Sequence, residues 1–247
     1  MKKYSFSICT LAIFITTLLE VSCSKEPAKT DDEPTVNELL TGGPSAVNGK
    51  TWVLSSGYAV GIDGASAIDN SMMVLLPSVE NMLTSIGLPE EYDNEYTFYS
   101  DGRYSIDVKN GIALTSALYG NANGTIVNYG NEQNNLGIYG GSYTPPANAT
   151  WTLHQKEDLV VDACSNPLGT DVPAVHGNVT IKGRDWVTLS EGAFFGIVDY
   201  PATRKFIIKQ ITADKMNVAL FVCGYSADPD AWAIPAYLFH VTFVPKK

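Results

Sequence analysis

The most suggestive chemistry in the 247-residue chain lies in Glu91-Tyr92-Asp93-Asn94-Glu95. Three carboxylates at i, i+2 and i+4 share one face if the segment is a strand. Two carboxyl groups about 5–5.5 Å apart are what retaining cleavage of a glycosidic bond requires, one as nucleophile and one as acid. The surroundings point elsewhere. Pro89 stands just upstream, Tyr92 and Asn94 intervene, and strand-like alternation starts only near Tyr96. The segment reads as a helix-to-strand loop with a solvated acidic face, and no catalytic residue is assigned to it.

Other reactive patterns are missing from the sequence. His154, His176 and His240 stand far apart, and no CxxC or HExxH spacing offers a zinc site. Gly224-Tyr225-Ser226-Ala227-Asp228 lacks the second glycine of a nucleophile elbow. No glycine-rich phosphate loop or EF-hand calcium loop occurs. Neither Cys164 nor Cys223 has the electropositive neighbours that create a reactive thiolate. No cofactor or metal is therefore expected.

Aromatic residues offer a binding chemistry instead. Residues 119–148 hold seven Asn, six Gly and four Tyr (Tyr119, Tyr129, Tyr139, Tyr143), with Glu132 as the only charge. The stretch reads as a long irregular excursion between strands, and such loops are usually functional or mobile. Tyrosine among small polar residues suits recognition, because the ring covers apolar faces while its hydroxyl hydrogen-bonds. Trp232, in Asp228-Pro229-Asp230-Ala231-Trp232-Ala233-Ile234-Pro235, falls between the last strands, where it can stack on a sugar or cover a barrel end. Tyr58 and Tyr200 flank turns, whereas Trp52, Trp151 and Trp186 fall in strand patterns and belong to a core. The expected ligand contacts are Tyr58, Asp63, Tyr139, Tyr143 and Trp232.

The elements that must position these residues are strands. Tyr96 and Phe98 alternate with polar residues, Ser100-Asp101-Gly102 supplies a turn, and Tyr104, Ile106 and Val108 alternate back. Further β-like runs cover 111–119, 149–154, 159–164, 178–182, 185–190, 194–200, 205–212, 216–223 and 237–244. One helix is expected over 77–87, where Val79, Met82, Leu83 and Ile86 form a single apolar stripe between Pro77 and Gly87. The fold class is all-β, an antiparallel barrel or sandwich with that one short helix.

The N-terminus is a processing segment. Lys2 and Lys3 precede an apolar run over 8–19, which is shorter than the ~20 residues a membrane-spanning helix needs. Leu19-Glu20-Val21-Ser22-Cys23 resembles the lipobox of bacterial lipoproteins, and the resemblance implies cleavage before Cys23 and lipidation of its thiol. An ordinary secretory signal is the alternative. Residues 24–38 hold seven charges and two prolines and read as a flexible acidic tether. A single all-β domain is then expected over 39–247. Cys9 leaves with the signal, and Cys164 and Cys223 either pair as a disulfide or remain buried thiols.

Composition excludes some classes outright. With 45% hydrophobic and 17% charged residues, wholesale disorder is ruled out. A net charge of −10 argues against nucleic acid as a partner.

Three segments carry a wider resemblance: Gly49-Lys50-Thr51-Trp52, the hairpin over 95–106, and Val187 to Gly196 followed by Phe206 to Met216. Together they resemble surface lipoproteins of Bacteroidetes with lipocalin-like or sandwich domains, which often accompany polysaccharide-degradation systems. Asp31-Asp32-Glu33 resembles the signals that send such proteins to the cell surface. The family-16 glycoside hydrolases carry an E-x-D-x-E strand like the acidic segment, but with apolar residues where this chain has Tyr92 and Asn94. The resemblance implies an outer-membrane protein anchored by its lipid and exposed at the surface, the periplasmic face being the alternative. The expected function is non-catalytic binding of a carbohydrate or similar polar ligand. A glycoside hydrolase using Glu91, Asp93 and Glu95, or a structural subunit of an envelope complex with a protein partner, are the alternatives.

Overall fold

Alternating apolar residues and glycine turns build a closed antiparallel barrel. The computed structural model describes residues 33–59, 82–134, 137–164, 176–200, 204–225 and 233–247. Its barrel strands are β1 (Lys50–Ala59), β2 (Glu95–Phe98), β3 (Arg103–Asp107), β7 (Ala149–Cys164), β8 (His176–Leu189), β9 (Lys205–Ile211), β10 (Met216–Tyr225) and β11 (Ala233–Pro245). They pair in that order, and β11 closes on β1. Of the two expected all-β architectures, the barrel is the one formed. Between β3 and β7 the chain inserts a small sheet of β4 (Ile112–Ser116), β5 (Ile126–Asn128) and β6 (Ile138–Ser142), ordered β4-β6-β5. The expected hairpin is β2–β3, paired from Glu95↔Asp107 to Phe98↔Tyr104, and Gly102 takes the positive φ its turn demands.

Several strand boundaries differ from the sequence expectation, each for a local reason. The runs 149–154 and 159–164 are one strand, as are 178–182 and 185–190. The register shifts between His154 and Leu159, where Lys156 has φ 52°, so alternation breaks while pairing continues. The run 111–119 stops at Ser116, whose side chain accepts the Tyr119 N–H and starts helix α3 (Ala117–Asn123). Residues 119–148 are consequently not an irregular excursion. Residues 194–200 form no strand; they enter the barrel, and only isolated bridges such as Thr115↔Val198 tie them to β4.

The two helices near the start differ as well. Helix α1 (Val36–Thr41) begins inside the stretch expected to be tether. A capping box orders it, with the Thr35 side chain accepting from Glu38 N and the Glu38 carboxylate accepting from Thr35 N. Leu40 is then fully buried and its carbonyl accepts the Trp52 indole N–H at 2.9 Å. The described part of the expected helix over 77–87 is α2 (Met82–Ser85). Met82, Leu83 and Ile86 are buried as the stripe predicts, while Pro77 and Val79 lie outside the described residues. The chain divides at Glu33/Pro34, so the signal, Cys23 and Asp31-Asp32 also lie outside them.

Two hydrophobic clusters lie on opposite faces of the barrel wall. Val218 and Leu220 of β10 and Phe206 and Ile208 of β9 join the larger cluster, with Trp52, Tyr96, Phe98, Trp151 and Phe243. The residues between them, Ala219, Phe221 and Ile207, join the smaller one with Trp186 and Leu238. Leu159, Val161, Ala163 and Ile181 from the far half of the β7–β8 hairpin belong to that smaller cluster. The hairpin therefore bends at its bulge and covers the outer face of β9–β11. All three strand tryptophans are buried, as expected.

Candidate functional site

Strand directions gather four of the seven barrel connections at one end. The β1–β2, β3–β7, β8–β9 and β10–β11 connections all join strand ends there, because neighbouring strands run antiparallel throughout. The opposite end carries the short turns after β2 and β9. It also receives α1, against which Lys50 bridges by donating from Nζ to the Leu39 and Ala213 carbonyls, both at 2.9 Å. By sequence, residues 60–94, 108–148, 190–204 and 226–232 hold eleven Asp and Glu but only Lys109 and Arg204 as basic residues. These connecting segments are acidic in sequence.

Among the described residues, aromatic rings pack against one another inside the barrel. Phe195 enters from the β8–β9 connection and lies 4.0 Å from Phe243, 4.6 Å from Phe206 and 5.1 Å from Tyr96, centroid to centroid. The Tyr104 hydroxyl donates to the Phe194 carbonyl at 2.7 Å and fixes this plug. An exposed polar and aromatic surface is found outside the barrel.

The β4–β6 lobe supplies it. Its asparagines are spent on the lobe's own backbone and on the segment from Ser85 to Glu90 beside it. Asn134 Nδ2 donates to the Tyr129 and Ile138 carbonyls at 2.8 Å, and Asn131 Nδ2 reaches the Ser85 carbonyl at 2.9 Å. Asn128 Nδ2 joins Glu90 Oε1 at 2.6 Å and the Gly87 carbonyl at 3.2 Å. These bonds substitute for a regular hydrophobic pattern and leave the tyrosines outside. Tyr129 is 61% exposed, and its ring lies 5.2 Å from that of half-buried Tyr139 at 59°. Val127 beside it on β5 is also exposed. A second pair, Tyr119 and Tyr200, meets edge to face at 5.4 Å.

Beneath the lobe lies the acidic segment, and its three carboxylates do not share a face. Pro89–Asp93 forms a 3-10 turn, so Glu91 and Asp93 precede the strand that Glu95 opens. The expected solvated acidic face is corrected at Glu91, which is only 2% exposed because the turn points it under β4 and β6. Burial raises its carboxyl to about 8, the adjacent Glu90 adds to the rise, and the Asn94 amide and Leu114 backbone oppose it. Asp93 is exposed. Against a partial burial that would raise it, Lys246 and Lys109 hold Glu95 below the usual carboxylate range.

A second carboxyl, half-buried Asp199, accepts the Cys223 and Tyr200 backbone N–H groups, each at 2.8 Å. Burial pushes it up to about 6 despite those bonds and the Ser116 hydroxyl. Cys223 is a free, buried thiol raised by its burial and by Asp199, so it is no nucleophile at neutral pH. Of the two readings open for this cysteine, the buried thiol is the one present; the Cys164 side chain lies outside the described residues.

Of the expected contacts, Tyr139 and Tyr143 lie on or just after β6. Tyr143 is committed to packing: its ring meets Phe194 at 5.1 Å and its hydroxyl donates to the Gly192 carbonyl. The Tyr58 side chain, Asp63 and Trp232 lie outside the described residues, although the strand ends flanking them, Ala59, Tyr225 and Ala233, belong to the loop end. Tyr129, exposed beside Tyr139, was not among the expected contacts. Its signal was its place in the same Asn- and Gly-rich stretch as Tyr139. Comparison of the chain with protein-family models and with curated proteins returns no match.

Proposed function

We propose that this chain is a lipid-anchored protein of a bacterial outer membrane whose barrel holds out a non-catalytic binding face for a carbohydrate or similar polar ligand. The observation that carries the reading is the separation of the two barrel ends. The compact unit begins with α1 at one end, and the four gathered connections with the Tyr129–Tyr139 pair lie at the other. A tether leaving the α1 end, with lipid on Cys23, would turn the tyrosines away from the bilayer.

Chemistry supports the ligand class. Paired tyrosine rings cover the apolar faces of sugars while their hydroxyls bond the hydroxyl groups. Eleven acidic residues against two basic ones disfavour sulfated or uronate polymers. Neutral polysaccharides suit the face better. The buried, neutral Glu91 and its separation from exposed Asp93 give no support to a pair of carboxylates acting together on a glycosidic bond.

The test is a glycan array probed with a chain begun at Pro34, which retains the Thr35 cap, repeated with Trp232→Ala and with Tyr129→Ala. Binding to neutral glycans that falls with either variant supports the reading and locates the face. Absence of binding to every polysaccharide sinks it and favours a protein partner in the envelope.

A further inference from the structure

We propose that Glu91 is a protonation latch, which fastens the β4–β6 lobe to the barrel while its carboxyl is neutral and loosens the lobe once it is ionised. The inference concerns how the lobe is held and stands whatever the lobe binds; its effect on ligand affinity rests on the proposed function.

The geometry is that of a carboxyl with one satisfied oxygen. Oε2 accepts the Asn94 amide at 3.0 Å and the Leu114 backbone lies close enough to favour the charged form weakly, whereas Oε1 is buried with no partner in good hydrogen-bond geometry. A methyl group placed on Gly140 would sit 3.2 Å from Oε1, so β6 lies directly over that oxygen. A neutral carboxyl tolerates such a place, but a carboxylate needs donors or a counter-charge and water to solvate it. Moving β6 away is the nearest route to water.

The groups around it offer no counter-charge. On its own turn Glu90 is a second carboxylate, held by Asn128, and it makes ionisation of Glu91 harder. From β2 it is faced by the buried Tyr96, whose phenol is itself held neutral by burial and by Glu91. Helix α2 and strands β4, β5 and β6 carry no charged residue. Lys50, the one charged residue of β1, is bonded at the far end of that strand to Leu39 and Ala213. Lys109, from the turn packed on this one, is paired with Glu95 and Asp107.

The sign follows from linkage. The closed lobe holds the Glu91 proton up to about pH 8, and an opened lobe exposes a carboxyl with the ordinary value of 4.5. The open state therefore binds fewer protons across that window. Opening becomes easier as pH rises, by up to about tenfold per unit, and levels off above the closed-state value.

The experiment is hydrogen exchange by mass spectrometry on the complete chain in detergent from pH 5 to 9, corrected for intrinsic base catalysis. Amides over 112–143 are expected to show the rise and plateau, and Glu91→Gln is expected to be flat. A pH-independent opening in the unaltered chain overturns the proposal. So does the same rise in Glu91→Gln, which would pass the role to another group such as Asp199. Because the variant can fail to fold, infrared spectroscopy of the unaltered chain provides a second test. A protonated-carboxyl stretch at pH 7 that vanishes by pH 9.5 supports the latch; its absence at pH 7 overturns it.

Discussion

Asn94 Nδ2 donates to Glu91 Oε2 and to the Ile112 carbonyl, both at 3.0 Å, while Asn94 Oδ1 accepts the Lys109 N–H at 2.8 Å. One side chain, 1% exposed, thus joins the 3-10 turn, the start of β4 and the turn that precedes it. Replacing it by alanine leaves a buried carboxyl, a carbonyl and an N–H without their partner. Each such loss costs about 1–3 kcal/mol. Asn94→Ala is expected to lose roughly 3–5 kcal/mol, three such losses near their lower values, read as a lower urea midpoint with an unchanged slope.

Gly196 follows the plug residue Phe195 at φ 73°, and a Cβ there would lie 2.8 Å from Leu220 Cδ1 and 3.1 Å from Phe243 Cζ. Gly196→Ala adds backbone strain to overpacking. A loss of about 2–4 kcal/mol is expected, the sum of ~1–2 for strain and ~1–3 for crowding at their lower and middle values. Thermal unfolding at matched pH checks it, and a variant as stable as the parent would mean the plug can shift.

Tyr129 is exposed and no packed core depends on it. Tyr129→Ala is expected to leave the melting temperature within a degree or two, about ±0.5 kcal/mol, while weakening glycan binding about 3- to 10-fold. Isothermal titration beside a melting curve separates the two effects. A large stability loss would show instead that the Tyr129–Tyr139 pair is structural.

Asp199 makes a separate pH prediction. Its folded value, about 6, lies above the ordinary 3.8, so the folded state holds this proton more tightly than the unfolded one. The stability it contributes is complete below 3.8, is lost as pH rises toward 6, and changes no further beyond that. Asp199→Asn should remove this slope while lowering stability at every pH, because an amide cannot accept both N–H groups. Urea midpoints at pH 4, 5 and 7, taken in a Glu91→Gln background, isolate the effect.

Cys23→Ala tests the anchor. The variant is expected to leave the membrane fraction and to lose incorporation of labelled fatty acid. Retention of both would assign the N-terminus to some other mode of attachment.

The barrel was legible because its signals are local. Tyr96, Phe98, Tyr104 and Ile106 alternate around a glycine turn, and nothing in the tertiary structure overrides them. The lobe was not legible, because Asn128 and Asn131 hold it through side-chain bonds to carbonyls more than forty residues away and Asn134 through local ones, and neither kind leaves a periodicity to read. Phe194 and Phe195 belong to a short apolar run that reads as a buried strand yet enters the barrel as a plug, since burial by a loop and burial by a strand look alike in sequence. Glu91 carried the residue type that drew attention to it. Its burial depends on β6, almost fifty residues away, and no local pattern encodes that.

The position of α1 has a mechanical consequence. Strand β1 follows α1 directly and is laddered on both sides, Thr51 and Val53 to Thr97 and Glu95, Val53 and Leu54 to Val244 and Phe243. Were the chain anchored at its α1 end and a polymer held at the loop end, as proposed, a pull between them would pass through β1. Both ladders are then loaded in shear, with many backbone bonds sharing the force at once instead of opening one after another. Under drag from moving fluid, the strand that closes the barrel is the strand that bears the tension.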